Sequence, residues 1–307
     1  VTAARRVLVG LSLDGIGADA GAVGVAELVD AATRAETLGF DFLSLSDPIA
    51  RARDGAPRLS AVDALAFLAR RTRSVGLLAG ASSHYAEPFH VSKALATLDF
   101  ISAGRAGLIV DPGRSATADR FFPAARDLGE TERGEEALEF IDVVADLWDS
   151  WEDGAEIRER ATGRYVDSAK IHHIDHDGPY FRVKGPLITP RPPQGRPPVL
   201  LLQPDGAARL VGPSHVDGSD DAALLTRVEV SSAEEIGVAI AAVATERAGS
   251  SGALLLQFAA PPSRLAAVLA RLADASFELP GLGASAGLTL SERLGLPRRP
   301  SRFAESA

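Results

Sequence analysis

The run ASSHYAEPFHVSKALATLDFISAGR, residues 81–105, holds the end of a strand, a turn, a helix and the start of the next strand in one stretch. Residues 88–102 read as a helix that Gly104 closes, because a glycine turns left-handed at a helix end without steric cost. Residues 74–81 before it and 105–110 after it are short apolar runs of strand length. The same order recurs upstream. Residues 7–13 (VLVGLSL) read as a strand, and residues 24–38 set Val25, Leu28, Val29, Ala32 and Ala35 at helical spacing until Gly39 stops them. Residues 40–46 (FDFLSLS) are the next strand, and Ser60 is the N-cap of a helix over 60–72 with Leu65, Leu68 and Ala69 on one face. Downstream, residues 133–151 make a long helix striped by Ala137, Phe140, Ile141, Val144 and Leu147. Four strand-then-helix units in a row predict parallel strands joined by right-handed crossovers.

That rhythm fits an open doubly wound sheet and a (β/α)-barrel alike. No G-x-G-x-x-G turn follows the first strand, which counts against the dinucleotide-binding form of the open sheet. A chain of 307 residues suits one barrel, which needs about 250 residues, and residues 1–307 are expected to form a single domain. Residues 152–198 interrupt the alternation. Within this insertion, 171–183 (IHHIDHDGPYFRV) reads as a hairpin turning at Asp177-Gly178, and 186–198 is Pro-rich and extended. Strands resume at 199–203, 222–230 and 253–260. Ser232 and Glu235 form a capping box for a helix over 232–247, and a helix over 261–275 has proline in its first turn. Seven strands are thus expected, with an eighth missing or irregular. The tail, 281–307, is rich in Gly, Ser, Pro and Arg and is expected to lie along the surface.

Composition narrows the function. Hydrophobic residues are 46% and charged residues 24%, enough apolar content for a sizeable core. The net charge of −9 argues against a nucleic-acid partner. Without cysteine, thiol catalysis, disulfides and thiolate metal sites are excluded. Residues 1–10 show no signal-peptide pattern, and the longest apolar stretches are strand-sized, so a soluble cytoplasmic protein with no membrane contact is expected.

Four segments together resemble one family: 40–47 (FDFLSLSD), 81–105, 137–153 (ALEFIDVVADLWDSWED) and 174–191 (IDHDGPYFRVKGPLITPR), joined near the end by 289–296 (TLSERLGL). They resemble the nitrilotriacetate/dibenzothiophene-sulfone monooxygenase branch of the bacterial luciferase-like family, and ALATLDFISAGR is the most telling run. The resemblance implies a TIM-type (β/α)8 barrel that holds reduced FMN at the C-terminal ends of its strands. It also implies a separate reductase that supplies the flavin, oxygenation of a small organic substrate, and a homodimer. By resemblance the cofactor-binding positions are Asp47 after the second strand, Ser82 and Ser83 after the third, Val110 and Asp111 after the fourth, and Gln203 and Arg209 after the fifth. Several positions depart from the family pattern. Where relatives carry a His and a Tyr that approach the flavin, this chain has Glu130 and Gly134. Where relatives carry a Gly/Ser-rich turn that grips the phosphate at a helix N-terminus, it has QPDGAAR, 203–209, with a proline and an added negative charge. The alternative reading is a paralogue that has lost flavin binding and serves as a scaffold, partner subunit or small-ligand binder.

The candidate catalytic residues are His84 and Glu130, each with a plainer reading beside it. His84 is a contact at the mouth or a loop histidine satisfied locally; Glu130 is a proton relay or a solvated charge within 130–136. Asp47 orients a ligand or caps its turn. His172, His173 and His176 do not share one strand face, so no metal is expected there. Trp148 and Trp151 read as packing, and Asp205 with Arg209 as a surface pair. No G-x-S-x-G elbow supports a serine hydrolase.

Overall fold

The computed structural model describes residues 7–14, 24–46, 59–122, 125–204, 206–211, 224–229, 232, 234–236, 238–239, 254–259, 262–274 and 287–304. The first half alternates strand and helix: β1 (Val7–Ser12), α1 (Val25–Thr37), β2 (Phe42–Leu45), α2 (Ala61–Ala69), β3 (Gly76–Ser82), α3 (Pro88–Ser102), β4 (Ala106–Asp111), α4 (Ala116–Asp119) and α5 (Glu130–Asp149). The insertion carries β5 (Glu156–Glu159), β6 (Arg164–Val166), β7 (His176–Asp177) and β8 (Arg182–Val183). The second half holds β9 (Val199–Leu202), β10 (Ala208–Leu210), β11 (Leu224–Glu229), β12 (Leu254–Ala259), α6 (Pro262–Asp274) and α7 (Leu290–Arg293).

Eight strands close into a barrel in the order β1-β12-β11-β10-β9-β4-β3-β2. All neighbours run parallel except at β10, which is antiparallel to β9 and to β11. β10 is therefore the irregular eighth strand. Because side chains alternate along a strand, Leu8, Phe42, Leu78, Leu200, Ala208 and Leu225 turn inward and meet in the lumen. Val9, Leu11, Leu43, Leu77, Leu108 and Val110 turn outward under the helices. The Phe42 ring lies over its register partner Gly10 on the neighbouring strand β1, where a Cβ would come within 2.0 Å of it.

Within the described part of the tail, 287–304, Leu290, Ser291, Arg293 and Leu294 turn inward instead of lying along the surface as expected, while 297–300 are exposed. Thr289 and Glu292 cap α7 reciprocally, and Leu290 and Leu294 enter the luminal cluster. A Cβ on Gly76 would meet Leu290 Cδ1 at 2.9 Å, and one on Gly107 would meet its Cδ2 at 3.0 Å. Both glycines sit at strand starts, so α7 closes the N-terminal end of the barrel. Apolar burial overrides the loop-like composition of this segment. Arg293 ties it down by donating to the Asp41 carbonyl at 3.2 Å and to that of Ser74.

The run that decided the fold is a joint. Gly104 adopts φ +84° after α3. The buried Arg105 donates to the carbonyls of Ala69 (2.9 Å), Val75 (2.7 Å) and Ser102 (2.8 Å). Buried Asp99 accepts from Gln194 N (3.0 Å), Gln194 Nε2 (2.6 Å) and Ala106 N (3.3 Å), and Gln194 Oε1 accepts from Ser291 N at 2.8 Å. These bonds link α2, α3, β4, the insertion and α7.

In the insertion, the expected hairpin turns later than Asp177-Gly178. Asp177 pairs with Arg182, so residues 178–181 form the loop, and Glu139 of α5 accepts the N–H groups of Tyr180 (3.1 Å) and Phe181 (2.8 Å). A second hairpin, β5–β6, was not foreseen. Helix α5 begins at Glu130 because Gly129 N donates to Glu132 Oε2 at 2.7 Å. Trp148 and Trp151 are packing residues whose indoles donate to Ser92 O (3.0 Å) and Leu187 O (2.7 Å). Of the helix expected over 232–247, the described residues 234–236 and 238–239 are helical and 232 is a bend before them.

Candidate functional site

Above the apolar floor the lumen turns polar. Strand alternation carries Ser12 and Ser44 inward above Leu8 and Phe42, and Ser82 and Asp111 inward above Leu78 and Ile109. Ser82 and Asp111 are register partners at the C-terminal ends of β3 and β4. Leu201 pairs with Val110 one residue below Asp111, so Gln203 follows along the same arc of rim. Ser83 and His84 form the turn that leaves β3, with Ser83 N donating to the Asp111 carbonyl at 3.1 Å. This arc gathers five of the residues singled out from sequence: Ser82, Ser83, His84, Asp111 and Gln203.

Among the described residues, four buried polar atoms at this end have no partner: Ser44 Oγ, Ser82 Oγ, Ser83 Oγ and His84 Nε2. Each such group costs about 1–3 kcal/mol when left unmade. These four cluster at the C-terminal ends of β2 and β3, whereas Arg133 Nε, Thr189 Oγ1 and Arg191 Nε are unpartnered elsewhere.

The remaining candidates fall elsewhere. The Val110 side chain lies in the outer core, away from the lumen. Glu130 is exposed at the first residue of α5, and Arg209 is exposed on the outer face of β10. Asp47 and Asp205 lie outside the described residues. His172, His173 and His176 each have a separate partner: Glu152 at 2.7 Å, the Gly185 carbonyl at 2.6 Å and Glu139 at 2.9 Å.

Two groups escaped the sequence reading. Glu136 is 2% exposed, its Oε2 is 2.8 Å from His84 Nδ1, and its Oε1 accepts from Arg126 Nη1 at 2.8 Å. The signal was present: Glu136 stands four residues before Phe140, on the apolar stripe of α5 rather than in the solvated run before it. The second group is Asp14, whose carboxylate accepts from Ser46 N (2.6 Å) and Ser46 Oγ (2.7 Å) and meets Arg227 at 3.3 Å. Arg227 shares its luminal face of β11 with Leu225, so a cation and a carboxylate complete the rim opposite β4.

The polar wall fits the ring of a flavin, an extended plane with carbonyl and N–H edges that needs donors and acceptors inside an apolar sleeve. The turn after β9 does not fit its phosphate. Gln203 N donates to the Ala207 carbonyl at 2.7 Å and Gly206 N to the Gln203 carbonyl at 3.0 Å, so these amides are spent within the turn. Pro204 has no N–H, and β10 follows where an anion site would need a helix N-terminus.

Residues 9–209 match the model of a family described as luciferase-like monooxygenase, and that span covers β1 to β10. The chain belongs to the luciferase-like monooxygenase family. Within it, the chain is 37% identical over 179 residues to N-acetyl-S-(2-succino)cysteine monooxygenase of Bacillus subtilis (strain 168), covering 57% of this chain and 41% of that protein. It is 46% identical over 140 residues to nitrilotriacetate monooxygenase component A of Aminobacter aminovorans, covering 44% of this chain and 30% of that protein. The chain therefore spans less than half the length of these curated relatives. EDTA monooxygenase from Chelativorans sp. BNC1 shares the fold, with a TM-score of 0.59 at 21% identity over 82% of this chain and 61% of that one. The luciferase-like match ends on β10, so Arg227 and the rest of the second half lie beyond it. No described helix is long and apolar enough to cross a membrane.

Proposed function

We propose that this luciferase-like chain holds the ring of a reduced flavin, delivered by a separate reductase, in the upper lumen of its barrel and oxygenates a small organic substrate there. The observation that carries this reading is the set of unpartnered buried atoms at Ser44, Ser82, Ser83 and His84. When bound, the flavin supplies the activation of oxygen. The chain supplies the rest. Ser82 and Ser83 offer hydroxyls to the ring edge, Ile109 and Leu202 give apolar wall, and the floor sealed by Leu290 keeps water from entering below. In this reading residues 1–307 act as one domain, in the cytoplasm, as a homodimer.

Anaerobic titration with reduced FMN, followed by fluorescence, tests it. Saturable binding, weakened in Ser82→Ala, is expected; no saturation even at millimolar flavin sinks the proposal. A second reading, a barrel that no longer oxygenates and serves as a partner subunit, is favoured by the Gln203 and Gly206 amides being spent within the turn after β9. Oxygen uptake in the presence of bound reduced flavin and candidate substrates separates the two.

A further inference from the structure

Among the described residues, His84 is the one histidine with a buried, unpartnered ring nitrogen. His172 and His176 also meet a glutamate each, but their side chains are 28% and 21% exposed, within reach of water. The His84 side chain is 0% exposed. An ionised carboxylate only accepts, so in a neutral imidazole the 2.8 Å contact with Glu136 would place the proton on Nδ1 and leave the lone pair on Nε2. The chain of contacts then runs outward. Glu136 Oε1 accepts from Arg126, which is 45% exposed, donates to the Tyr180 carbonyl and lies 5.5 Å from the centroid of the Phe181 ring. The tip of the β7–β8 hairpin thus holds the arginine, the arginine holds the glutamate, and the glutamate holds the imidazole. On its other side the imidazole meets the Tyr85 ring edge-on at 4.9 Å, and the Tyr85 hydroxyl donates to Asp119, itself paired with Arg114 at 2.9 Å.

We propose that His84 is the proton acceptor of this site, taking a proton on Nε2 from an O–H or N–H group of a weakly acidic substrate such as a phenol, an enol or an imide. Glu136 and Arg126 are positioning residues. The step moves one proton and balances: the substrate X–H bond breaks with its electron pair left on X, the Nε2 lone pair forms the new N–H bond, and the products are the X anion and an imidazolium beside the Glu136 carboxylate. Deprotonation raises the electron density of the atom to be oxygenated, so the purpose of the step rests on the monooxygenase reading, while the proton transfer itself does not need flavin.

The test uses the full chain with nitrogen-15 histidine and 4-nitrophenol as the probe. Long-range N–H correlations are expected to show His84 protonated on Nδ1 and bare on Nε2. At a pH where the free probe is mostly un-ionised, wild-type protein is expected to raise its yellow phenolate band, and H84Q to abolish the rise. E136Q and R126Q are each expected to cut it by about tenfold, as losses of an orienting partner do, with partial rescue by R126K. Arg126 lies at the surface, so its variants keep the test valid if H84Q fails to fold. A proton on Nε2 in the free wild type, no rise with wild type, or a rise that survives H84Q overturns the proposal. Flavin titration of the same wild-type sample separates the two ideas: the tautomer and the band without flavin binding leave this inference standing and remove the flavin.

Discussion

Leu290→Ala opens the floor of the barrel, and its cost follows from what surrounds the side chain. Leu290 is 1% exposed, and its two methyls lie over Gly76 and Gly107, which have no side chains to move into the space. Buried Leu→Ala changes cost about 2–5 kcal/mol, more where the cavity cannot collapse, so about 3 kcal/mol is a fair expectation here. With an unfolding entropy of about 2.1 cal/mol/K per residue over 307 residues, that loss lowers the melting temperature by about 5 °C. Circular dichroism melts measure it directly. A double-mutant cycle sharpens the test, because a Cβ on Gly76 meets Leu290 Cδ1 at 2.9 Å. Gly76→Ala should destabilise the wild type through this contact yet cost less, by about 1 kcal/mol, in the Leu290→Ala background. A melting temperature unchanged by Leu290→Ala, or strict additivity of the two changes, would show that α7 does not occupy the lumen.

Three further outcomes follow from other parts of the molecule. Burial pushes the Asp99 carboxyl up to about 6 against the donors of Gln194 and Ala106. The folded state therefore binds this proton more tightly than the unfolded chain, and stability should fall as pH rises from about 4 to about 6 and then level off, a trend that Asp99→Asn removes in denaturant titrations. Arg105→Lys cannot reach three carbonyls with the geometry of the guanidinium fork, and a loss of about 2–4 kcal/mol is expected by urea unfolding; a loss under about 1 kcal/mol would contradict the joint described for Arg105. Because Gln203 N and Gly206 N are spent within the turn after β9, riboflavin should bind within about tenfold of FMN, a difference of about 1.4 kcal/mol, and a much larger preference for FMN in parallel titrations would show that the phosphate is gripped.

Much of the barrel was legible because its wall obeys local rules. The helical spacing in α1, α2 and α5 and the Gly104 stop depend on neighbours three or four residues away. The features that escaped are those fixed by distant partners. Three residues such as Ala208–Leu210 are too few to show periodicity, and only pairing with β9 and β11 makes them a strand. The tail looked solvent-exposed because nothing local announces that Leu290 and Leu294 meet Phe42 and Leu78. At the site, residues at strand ends could be listed from the rhythm, and Ser82, Ser83, His84 and Asp111 do come together. Glu136 was hidden in a run of charges, and only its spacing from Phe140 marks it as inward. Val110 illustrates the converse: a strand-end position is at the rim, yet alternation sends its side chain to the outer core.

The reversed strand also bears on how the molecule assembles. A parallel pair must wait for its crossover to be traversed, whereas Val199–Leu202 and Ala208–Leu210 are joined by a short turn and can zip up as a hairpin in about 1–10 μs. Leu200, Leu202, Ala208 and Leu210 would then already be side by side as an apolar ribbon, ready for β4 on one edge and β11 on the other. The seam at which the luciferase-like match stops is thereby a place where the ring can begin to form rather than the last place it closes.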